Sequence, residues 1–314
     1  MLRVPQAVRV TTPGSLLRLV SLALIWGSSF LWIKLGLAAL SPSQMVFARV
    51  ALGALVLCTI ALARRTPLPR GGRMWGHLVV YVFFANVLPF TLFAIGEQTV
   101  DSGLTGVINS TTPLWAVPCT LLFGGVRRLG LNTVLGVVLG FAGVLVIFSP
   151  WQATGVNLGG AAVCLVAAAS YGVGVVYAGR FLANKGVAPG SLAAAQMLTA
   201  TAMSALVLPF NGLSPINFDV PALLAVVVLG VFGTGFAFLL QHAQIAKEGP
   251  TAASMVAYLL PVVSVLLGVV FLHEALTLRE VAGMAIVLIG VGLTRLKARR
   301  PAPAPVEERQ PETV

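Results

Sequence analysis

The sequence predicts an all-α membrane protein of ten transmembrane helices, arranged as two inverted five-helix repeats. Three observations lead to this fold class. Of the 314 residues, 58% are hydrophobic and only 9% are charged, whereas a soluble domain carries about 25% charged residues. The apolar residues collect in runs of about 20 residues, which is the length that spans a bilayer. The second half of the chain also repeats the pattern of the first half.

The apolar runs are bounded by charged residues, by Pro and Gly clusters and by polar turns. Each run should be a helix, because unpaired backbone groups cannot face lipid and the runs lack the alternation of barrel strands. The first run continues past Trp26 to Lys34 without a small-residue cleavage pattern, so we interpret it as an uncleaved helix. The ten predicted spans are 16–37, 44–63, 75–97, 102–124, 130–149, 158–181, 188–209, 221–245, 251–272 and 276–296.

The net charge of +11 does not indicate a nucleic-acid binder, because the basic residues lie in short clusters between apolar runs. With ten spans and the N-terminus inside, 17 of the 20 Lys and Arg residues fall on the cytoplasmic side. We therefore expect a multi-pass protein of the plasma (inner) membrane with both termini cytoplasmic. In this interpretation residues 1–15 are a cytoplasmic N-terminal segment, and residues 297–314 are a disordered cytoplasmic tail.

An internal repeat divides the membrane part into two units. Pro113 aligns with Pro261, and Arg49 aligns with Gln196. Since each unit has five spans, an odd number, the second unit must enter the membrane from the opposite side. Inverted repeats are typical of secondary transporters, which bind substrate near the midplane where the halves meet. The prolines lie about 15 Å deep, where each predicts a helix kink. The two units are residues 16–149 and 158–296.

Polar side chains inside the spans are candidates for substrate binding, because burying them in lipid is costly. Uncharged groups suit hydrogen bonding to a small polar solute, although such groups also join helices to each other. Lys34 and Arg49 would attract a carboxylate if they face a cavity; the alternative is that they extend to the membrane interface. The candidate substrate-binding residues are Trp26, Ser29, Lys34, Arg49, Asn86, Asn109, Thr112, Tyr171, Gln196, Gln241 and Tyr258.

Asn109 and Tyr258 lie about one turn before the paired prolines in opposite repeats. We therefore expect both to reach one solute near the midplane. No carboxylate is expected deep in a span, since Glu97 and Glu274 are placed at span ends. This absence argues against a carrier of lipophilic cations and weakens the case for proton coupling through a central acid.

Glycines recur at helical spacing in the fifth and tenth spans, where small residues let helices approach closely. These faces predict either scaffold contacts or a homodimer. They contain Gly136, Gly140, Gly143, Gly283 and Gly290.

Catalytic and metal-binding motifs are missing from the sequence. It contains no HExxH, no GxSxG and no Walker loop, and its three cysteines lie in apolar runs without CxxC spacing. The chain is therefore not predicted to be an enzyme, and no cofactor or metal is predicted. The expected partners are a small-molecule solute and the lipid bilayer, with no nucleic acid.

Two segments carry a resemblance to a known family. They are LALIWGSSFLWIKLGL followed by SPSQMVFARVALGALVL, and GTGFAFLLQHAQIAKEGPTAASMVAYLLPVVSVLLGVVFLHEALTLREVAGMAIVLIGVGL. The chain resembles the EamA-type transporters of the drug/metabolite transporter superfamily over roughly residues 15–296. The resemblance implies ten spans in two five-span repeats. It also implies a plasma-membrane carrier, commonly an exporter of amino acids, metabolites or drugs.

The resemblance also marks individual positions. One departure from the family pattern occurs in the first repeat, where Gly124-Gly125-Val126 replaces the usual acid. This departure argues against a symmetric pair of acids. The marked positions are Lys34, Arg49, Pro113, Pro261 and, as the acid that closes the late helix, Glu274.

The favoured function is a secondary-active transporter that exports a small polar metabolite, such as an amino acid or related compound, by alternating access. Three alternatives stay open: a multidrug exporter of the same fold, an intramembrane enzyme acting on a lipid-linked substrate, and a channel. The enzyme would need clustered acids or histidines at one interface. The channel would need a wide polar stripe along several helices. Neither pattern is present in the sequence.

Overall fold

The computed structural model describes residues 13–123, 130–148, 157–182, 185–211, 214–248 and 256–295. Throughout these ranges the regular structure is helical and no strand occurs, as the apolar runs predict. Residues 1–12 of the predicted N-terminal segment lie outside the described residues. The predicted tail at 297–314 and the Gly124-Gly125-Val126 departure also lie outside them.

The first half of the chain forms the described helices α1 to α8. A π-helical turn, Phe83–Val87, joins α4 to α5. Ser41 begins α3 with a capping box, because its hydroxyl accepts from the Gln44 N–H while the Gln44 side chain accepts from the Ser41 N–H. The helices are α1 (Pro13–Gly27), α2 (Ser29–Gly36), α3 (Pro42–Ala63), α4 (Gly72–Val82), α5 (Leu88–Gly96), α6 (Ser102–Asn109), α7 (Thr112–Phe123) and α8 (Leu131–Phe148).

The second half forms the described helices α9 to α14. Asn157 caps the start of α9 by accepting a hydrogen bond of 2.9 Å from the Gly160 N–H. A second π-helical turn, Val231–Phe236, joins α11 to α12. The helices are α9 (Leu158–Phe181), α10 (Pro189–Asn211), α11 (Val220–Gly230), α12 (Ala237–Glu248), α13 (Val256–Leu272) and α14 (Leu278–Arg295).

Six helical stretches in the described part of the chain are long and apolar enough to cross a bilayer, and two shorter helices, Leu131–Ile147 and Val256–Leu272, are also apolar. The predicted span 102–124 consists of α6 and α7, which are separated at Ser110 and Thr111. The count of ten spans therefore stays a prediction. The six stretches are Pro13–Gly36, Pro42–Ala63, Gly72–Gly96, Leu158–Phe181, Pro189–Pro209 and Val220–Ile245.

Large apolar side chains cover the outside of the helical bundle. Leu62 is 78% exposed and Leu206 is 73% exposed, and at most half of each long apolar stretch is buried inside the molecule. Soluble proteins rarely expose apolar area of this extent. The outer surface is therefore suited to lipid, and the structure is that of a multi-pass membrane protein.

Helices of the two halves pack against each other in matched pairs. The predicted second and seventh spans meet as α3 and α10, and the fifth and tenth meet as α8 and α14. The third span packs on the sixth (α5 on α9), and correspondingly the eighth packs on the first (α11 on α2). The fourth span packs on the sixth (α7 on α9), and correspondingly the ninth packs on the first (α13 on α1). Each contact between two spans thus recurs between the equivalent spans of the other repeat. This arrangement is consistent with the predicted two-repeat fold.

The predicted glycine faces meet inside the chain, where α8 packs on α14. A Cβ atom on Gly143 would lie 2.8 Å from the Gly283 carbonyl oxygen, and a Cβ atom on Gly290 would lie 2.7 Å from the Gly136 carbonyl oxygen. Larger residues do not fit at these separations, so glycine permits the close approach. The structure uses these faces as scaffold contacts between the halves, and the homodimer stays a prediction.

Candidate functional site

A cavity of about 520 Å³ lies between the two halves of the chain. This volume is in the range of small-molecule sites. Aromatic rings form much of its wall, with Tyr171 of α9 packed at 6.0 Å from Phe93, and Trp26 of α1 packed at 5.9 Å from Phe238. The cavity is therefore largely apolar, with a small number of polar groups.

Most of the predicted site residues meet in this cavity. They come from spans in both halves, as the repeat predicts for a binding site. No group of three His, Cys, Asp or Glu residues among those described is placed to hold a metal. The predicted residues that line the cavity are Trp26, Ser29, Arg49, Asn109, Thr112, Pro113, Tyr171 and Gln241.

Arg49 of α3 is the one charged side chain among the described residues that line the cavity. Its Nε donates a hydrogen bond of 2.9 Å to the Thr234 hydroxyl, and its guanidinium lies 3.8 Å from the centroid of the Phe90 ring. These contacts fix the plane of the guanidinium and leave its terminal nitrogens without a hydrogen bond to a described residue. Arg49 faces the cavity rather than the membrane interface, and its free nitrogens suit a carboxylate.

Thr234 reaches Arg49 from the π-helical turn between α11 and α12. Its hydroxyl also donates to the Leu229 carbonyl oxygen at 3.1 Å, so one oxygen serves both contacts. Gly53 of α3 lets the turn approach, because a Cβ atom there would lie 2.6 Å from the Thr234 methyl group. Thr234 is not among the site residues that the sequence predicts. The available signal is the Gly-Thr-Gly run at 233–235 inside an apolar span, since π-helical turns often occur at functional sites.

The equivalent turn in the first half carries Asn86. Its Oδ1 accepts a hydrogen bond of 2.9 Å from Gln196 Nε2, and both residues are fully buried. Because Gln196 aligns with Arg49, the two halves use the same positions to join α10 and α3 to their π-helical turns. The Gln196–Asn86 pair is neutral, whereas the Arg49–Thr234 pair contains a cation. Asn86 and Gln196 therefore bind each other and do not line the cavity.

Lys34 and Tyr258 also lie outside the cavity lining. Lys34 Nζ donates to the carbonyl oxygens of Glu97 at 2.6 Å and Val100 at 3.0 Å. The Tyr258 hydroxyl donates to the Val291 carbonyl oxygen at 3.3 Å. Asn109 and Tyr258 are therefore not brought to one point, because Asn109 faces the cavity while the Tyr258 hydroxyl bonds to α14.

The two aligned prolines act differently. Pro113 follows the separation between α6 and α7, and the Asn109 carbonyl oxygen that it frees accepts a hydrogen bond of 2.8 Å from the Thr112 hydroxyl. Pro261 is buried within α13, which continues past it. The predicted kink is thus a helix break at the first proline, whereas the second stays inside a helix.

Glu97 ends α5 and is completely buried, with 0% of the residue exposed. Neither of its carboxylate oxygens has a hydrogen bond to a described residue. The sequence places Glu97 correctly at the end of a span, but it gives no indication that the side chain is enclosed. The expectation that no carboxylate lies deep in a span stays a prediction, because Glu97 lies at the end of α5.

Glu274 lies in the connection between α13 and α14. Its carboxylate accepts hydrogen bonds from the Ser102 N–H at 2.6 Å and the Gly103 N–H at 2.9 Å. These N–H groups begin α6 of the first half, where a helix N-terminus attracts negative charge. Partial burial, together with the Glu274 carboxylate, raises the pKa of Asp101 beside them.

Comparison with known protein families places the chain in one of them. The EamA-like transporter family matches residues 14–149 and again residues 158–296, which together make up most of the chain. This chain belongs to the EamA-like transporter family. The match confirms the resemblance that the sequence motifs indicate.

Relatives of this EamA-like chain are named as transporters. An uncharacterised transporter of Archaeoglobus fulgidus is 28% identical, over 85% of this chain and 93% of the relative. YedA, an uncharacterised inner membrane transporter of Escherichia coli, is 28% identical over 88% of this chain and 89% of its own length. YvbV, an uncharacterised transporter of Bacillus subtilis, is 26% identical over 93% of this chain and 96% of its own length. The EamA-like chain is thus a membrane transporter.

A solved crystal structure has the same fold as this EamA-like chain. It superposes with a TM-score of 0.65 over 89% of this chain and 95% of the other, at 23% sequence identity. The similarity between the two structures shows a shared fold and nothing more.

Proposed function

We propose that this EamA-like protein is a secondary-active carrier that exports a small carboxylate-bearing metabolite, such as an amino acid or related compound, by alternating access. The observation that carries the proposal is the orientation of Arg49. Its terminal nitrogens are unpaired among the described residues, and it lines a cavity walled by aromatic rings. A carboxylate can bind such a guanidinium through two parallel hydrogen bonds.

The remaining lining residues indicate what the rest of the solute contains. Trp26, Phe93 and Tyr171 offer ring faces for an apolar body. Asn109 and Gln241 offer amide groups that donate and accept hydrogen bonds. The fitting solute is therefore a small molecule with a carboxylate at one end and an apolar body, and the two amides can bind any further polar group that it carries.

Transport by alternating access requires two halves that can move against each other around a fixed site. The matched helix pairs between the halves support this mechanism. The Lys and Arg distribution supports an inner-membrane protein with both termini in the cytoplasm. A reporter that is active only in the periplasm should therefore stay silent when fused after Arg300. A strong periplasmic signal would contradict the proposed orientation.

The alternatives are less well supported. A carrier of lipophilic cations needs an acid at its site, yet no acidic side chain is found among the described residues that line the cavity. An enzyme acting on a lipid-linked substrate needs clustered acids or histidines in a shared site. Among the described lining residues neither type occurs. The cavity therefore favours an anionic or zwitterionic solute.

Counterflow in proteoliposomes tests the proposal. Vesicles loaded with unlabelled 3-phenylpropionate should accumulate the labelled acid, while its neutral amide should be carried poorly. Arg49→Gln should reduce flux of the acid by about tenfold or more, because each lost charge-assisted pair is worth roughly 1.5–3 kcal/mol. Lys34→Gln is the control, since Lys34 lies outside the cavity lining. An equal loss for acid and amide in Arg49→Gln would indicate a folding role instead.

A further inference from the structure

Four arginines lie close together in the chain where α3 ends and α4 begins. The apolar stretch Pro42–Ala63 ends directly before them, and the apolar stretch Gly72–Gly96 begins among them. Because both stretches are long enough to cross the hydrocarbon of a bilayer, the short connection between them lies at the level of the lipid headgroups. We call residues 64–73 the arginine loop. Its exposed cationic side chains are those of Arg64, Arg65, Arg70 and Arg73.

The positive charge of the arginine loop is not neutralised by nearby acids. The sequence contains no Asp or Glu before Glu97, and none of the four arginines forms an ion pair or a side-chain hydrogen bond with a described residue. The equivalent connection of the second half, between α10 and α11, contains no Lys or Arg, so the repeat does not itself require these charges. Free guanidinium groups are well suited to phosphate, whose oxygens they bind through two parallel hydrogen bonds.

Hydrogen bonds to neighbouring helices hold the backbone of the arginine loop in place. The Ser191 hydroxyl of α10 donates to the Pro67 carbonyl oxygen at 2.6 Å, and the Trp75 indole N–H of α4 donates to the Pro69 carbonyl oxygen at 3.0 Å. A loop that is ordered before it binds a partner loses little conformational entropy on binding.

Apolar side chains lie next to the arginines along the chain. Leu62, in the last turn of α3, is 78% exposed, and Leu68, inside the loop, is 40% exposed. Trp75 lies in the first turn of α4, and tryptophan is enriched where helices cross the membrane interface. A phospholipid offers a phosphate to the arginines and acyl chains to these apolar side chains, whereas a free phosphate offers the charge alone.

We propose that the arginine loop binds the headgroups of anionic phospholipids, such as phosphatidylglycerol, in the leaflet that it faces. Clusters of four to eight basic residues directly beside a membrane span are typical of such binding, and each basic residue near an anionic membrane surface strengthens it about fivefold. Positive charge beside a span also orients a chain during insertion, whereas lipid binding is a property of the folded protein. The binding does not depend on the solute in the cavity or on the proposed function.

Native mass spectrometry of the full-length protein tests the proposal by counting bound lipids. The protein is titrated in detergent with phosphatidylglycerol or with phosphatidylcholine of the same acyl chains. The wild type should bind phosphatidylglycerol about fivefold or more tightly. Replacing all four loop arginines by glutamine should reduce this binding to about that of phosphatidylcholine. The loop variant carries Arg64→Gln, Arg65→Gln, Arg70→Gln and Arg73→Gln.

A tail variant is the matched control, because it loses the same number of positive charges after α14. It should bind phosphatidylglycerol as tightly as the wild type. The tail variant carries Lys297→Gln, Arg299→Gln, Arg300→Gln and Arg309→Gln.

Thermal unfolding in detergent gives a second measurement in solution. Phosphatidylglycerol should raise the unfolding temperature of the wild type more than phosphatidylcholine does, because a ligand of the folded state stabilises it. Sodium chloride at about 1 M should remove the difference by screening the charges. Glycerol 3-phosphate, which is the headgroup phosphate without acyl chains, should give no comparable rise at the same concentration.

Three results would overturn the proposal. The first is unchanged binding of phosphatidylglycerol in the loop variant. The second is an equal loss in the tail variant, because net charge rather than the loop would then determine binding. The third is equal stabilisation by glycerol 3-phosphate, which would make the loop a site for free phosphate. If the fourfold loop variant does not fold, Arg70→Gln and Arg73→Gln replace it singly, and each should weaken binding by up to about fivefold.

Discussion

The Glu274 carboxylate holds the first turn of α6 through the backbone N–H of Ser102, at 2.6 Å. Because Glu274 belongs to the second half and Ser102 to the first, this bond joins the halves at one end of the bundle. The charge is well placed, since unpaired N–H groups at a helix N-terminus bind anions. The first repeat has Gly124-Gly125-Val126 where the aligned acid would stand. The sequence therefore provides this acid in one repeat only.

Release of Glu274 should expose the start of α6. Ser102 is fully buried, so a cysteine at this position should react slowly with a maleimide. We expect Glu274→Gln to raise the labelling rate of Ser102→Cys about tenfold, because loss of the charged acceptor weakens two hydrogen bonds. The measurement uses a background in which the native thiols are replaced: Cys58→Ser, Cys119→Ser and Cys164→Ser.

Glu280 provides the matched control for this experiment. It accepts a hydrogen bond of 2.8 Å from the Thr277 N–H at the start of its own helix, α14, and so caps a helix locally. Glu280→Gln should leave the labelling of Ser102→Cys unchanged. Equal labelling with and without Glu274→Gln would mean that the end of the bundle closes independently of Glu274.

Thr234 should control solute affinity through Arg49. Thr234→Val removes the acceptor of the Arg49 Nε hydrogen bond and keeps the side-chain volume. Leaving a buried donor unpaired costs about 1–3 kcal/mol, so we expect binding of 3-phenylpropionate to weaken by about tenfold in calorimetry. Thr234→Ser retains the hydroxyl and should bind nearly as well as the wild type. If the serine variant is impaired and the valine variant is not, packing of the methyl group is what matters.

The helical membrane fold and the family are predictable because they depend on properties summed over many residues. The length of apolar runs and the spacing of the repeat survive errors of a few residues at each helix end. Arg49 is predictable for a related reason, since a cation inside an apolar span is rare and costly. Thr234, which accepts a hydrogen bond from Arg49, is not predictable in this way, because threonines in spans commonly bond to their own helix.

Where the structure places a predicted residue outside the cavity, the reason is helix geometry or a contact that is distant in sequence. Asn86 lies in a π-helical turn, where the wider turn changes the direction of side chains that regular periodicity predicts. Tyr258 has the predicted spacing from Pro261, but its hydroxyl bonds to Val291 of α14. The burial of Glu97 depends on how α2 and α9 pack around the end of α5. No local sequence pattern reports such packing.

Asn109 and Tyr258 should differ in the property that their substitution changes. Asn109 lines the cavity, so Asn109→Ala should weaken solute binding by about tenfold, with little effect on thermal stability. Tyr258→Phe deletes the hydrogen bond to Val291 and should lower the stability by about 1 kcal/mol while the affinity stays unchanged. Calorimetric binding and thermal unfolding, measured on both variants, check this pair. A lowered affinity in Tyr258→Phe would return that residue to the site.

Two glycines of α14 provide a matched pair for the contact between the halves. A Cβ atom on Gly290 would lie 2.7 Å from the Gly136 carbonyl oxygen, whereas a Cβ atom on Gly292 would meet open space. Gly290→Ala should therefore destabilise the protein by about 1–3 kcal/mol through overpacking. Gly292→Ala should leave the stability unchanged or raise it slightly, because alanine favours the helix. Thermal unfolding in detergent compares the two variants directly.

The same glycine pair shows whether α8 and α14 separate during transport. If these helices stay packed in every state, Gly290→Ala should lower the unfolding temperature equally with and without saturating 3-phenylpropionate. If they separate when the solute binds, the variant should destabilise the solute-free form more than the bound form, and its apparent affinity should rise. The tight glycine contacts on both helices favour the first result. We therefore expect an equal loss in both forms, with movement confined to the helices around the cavity.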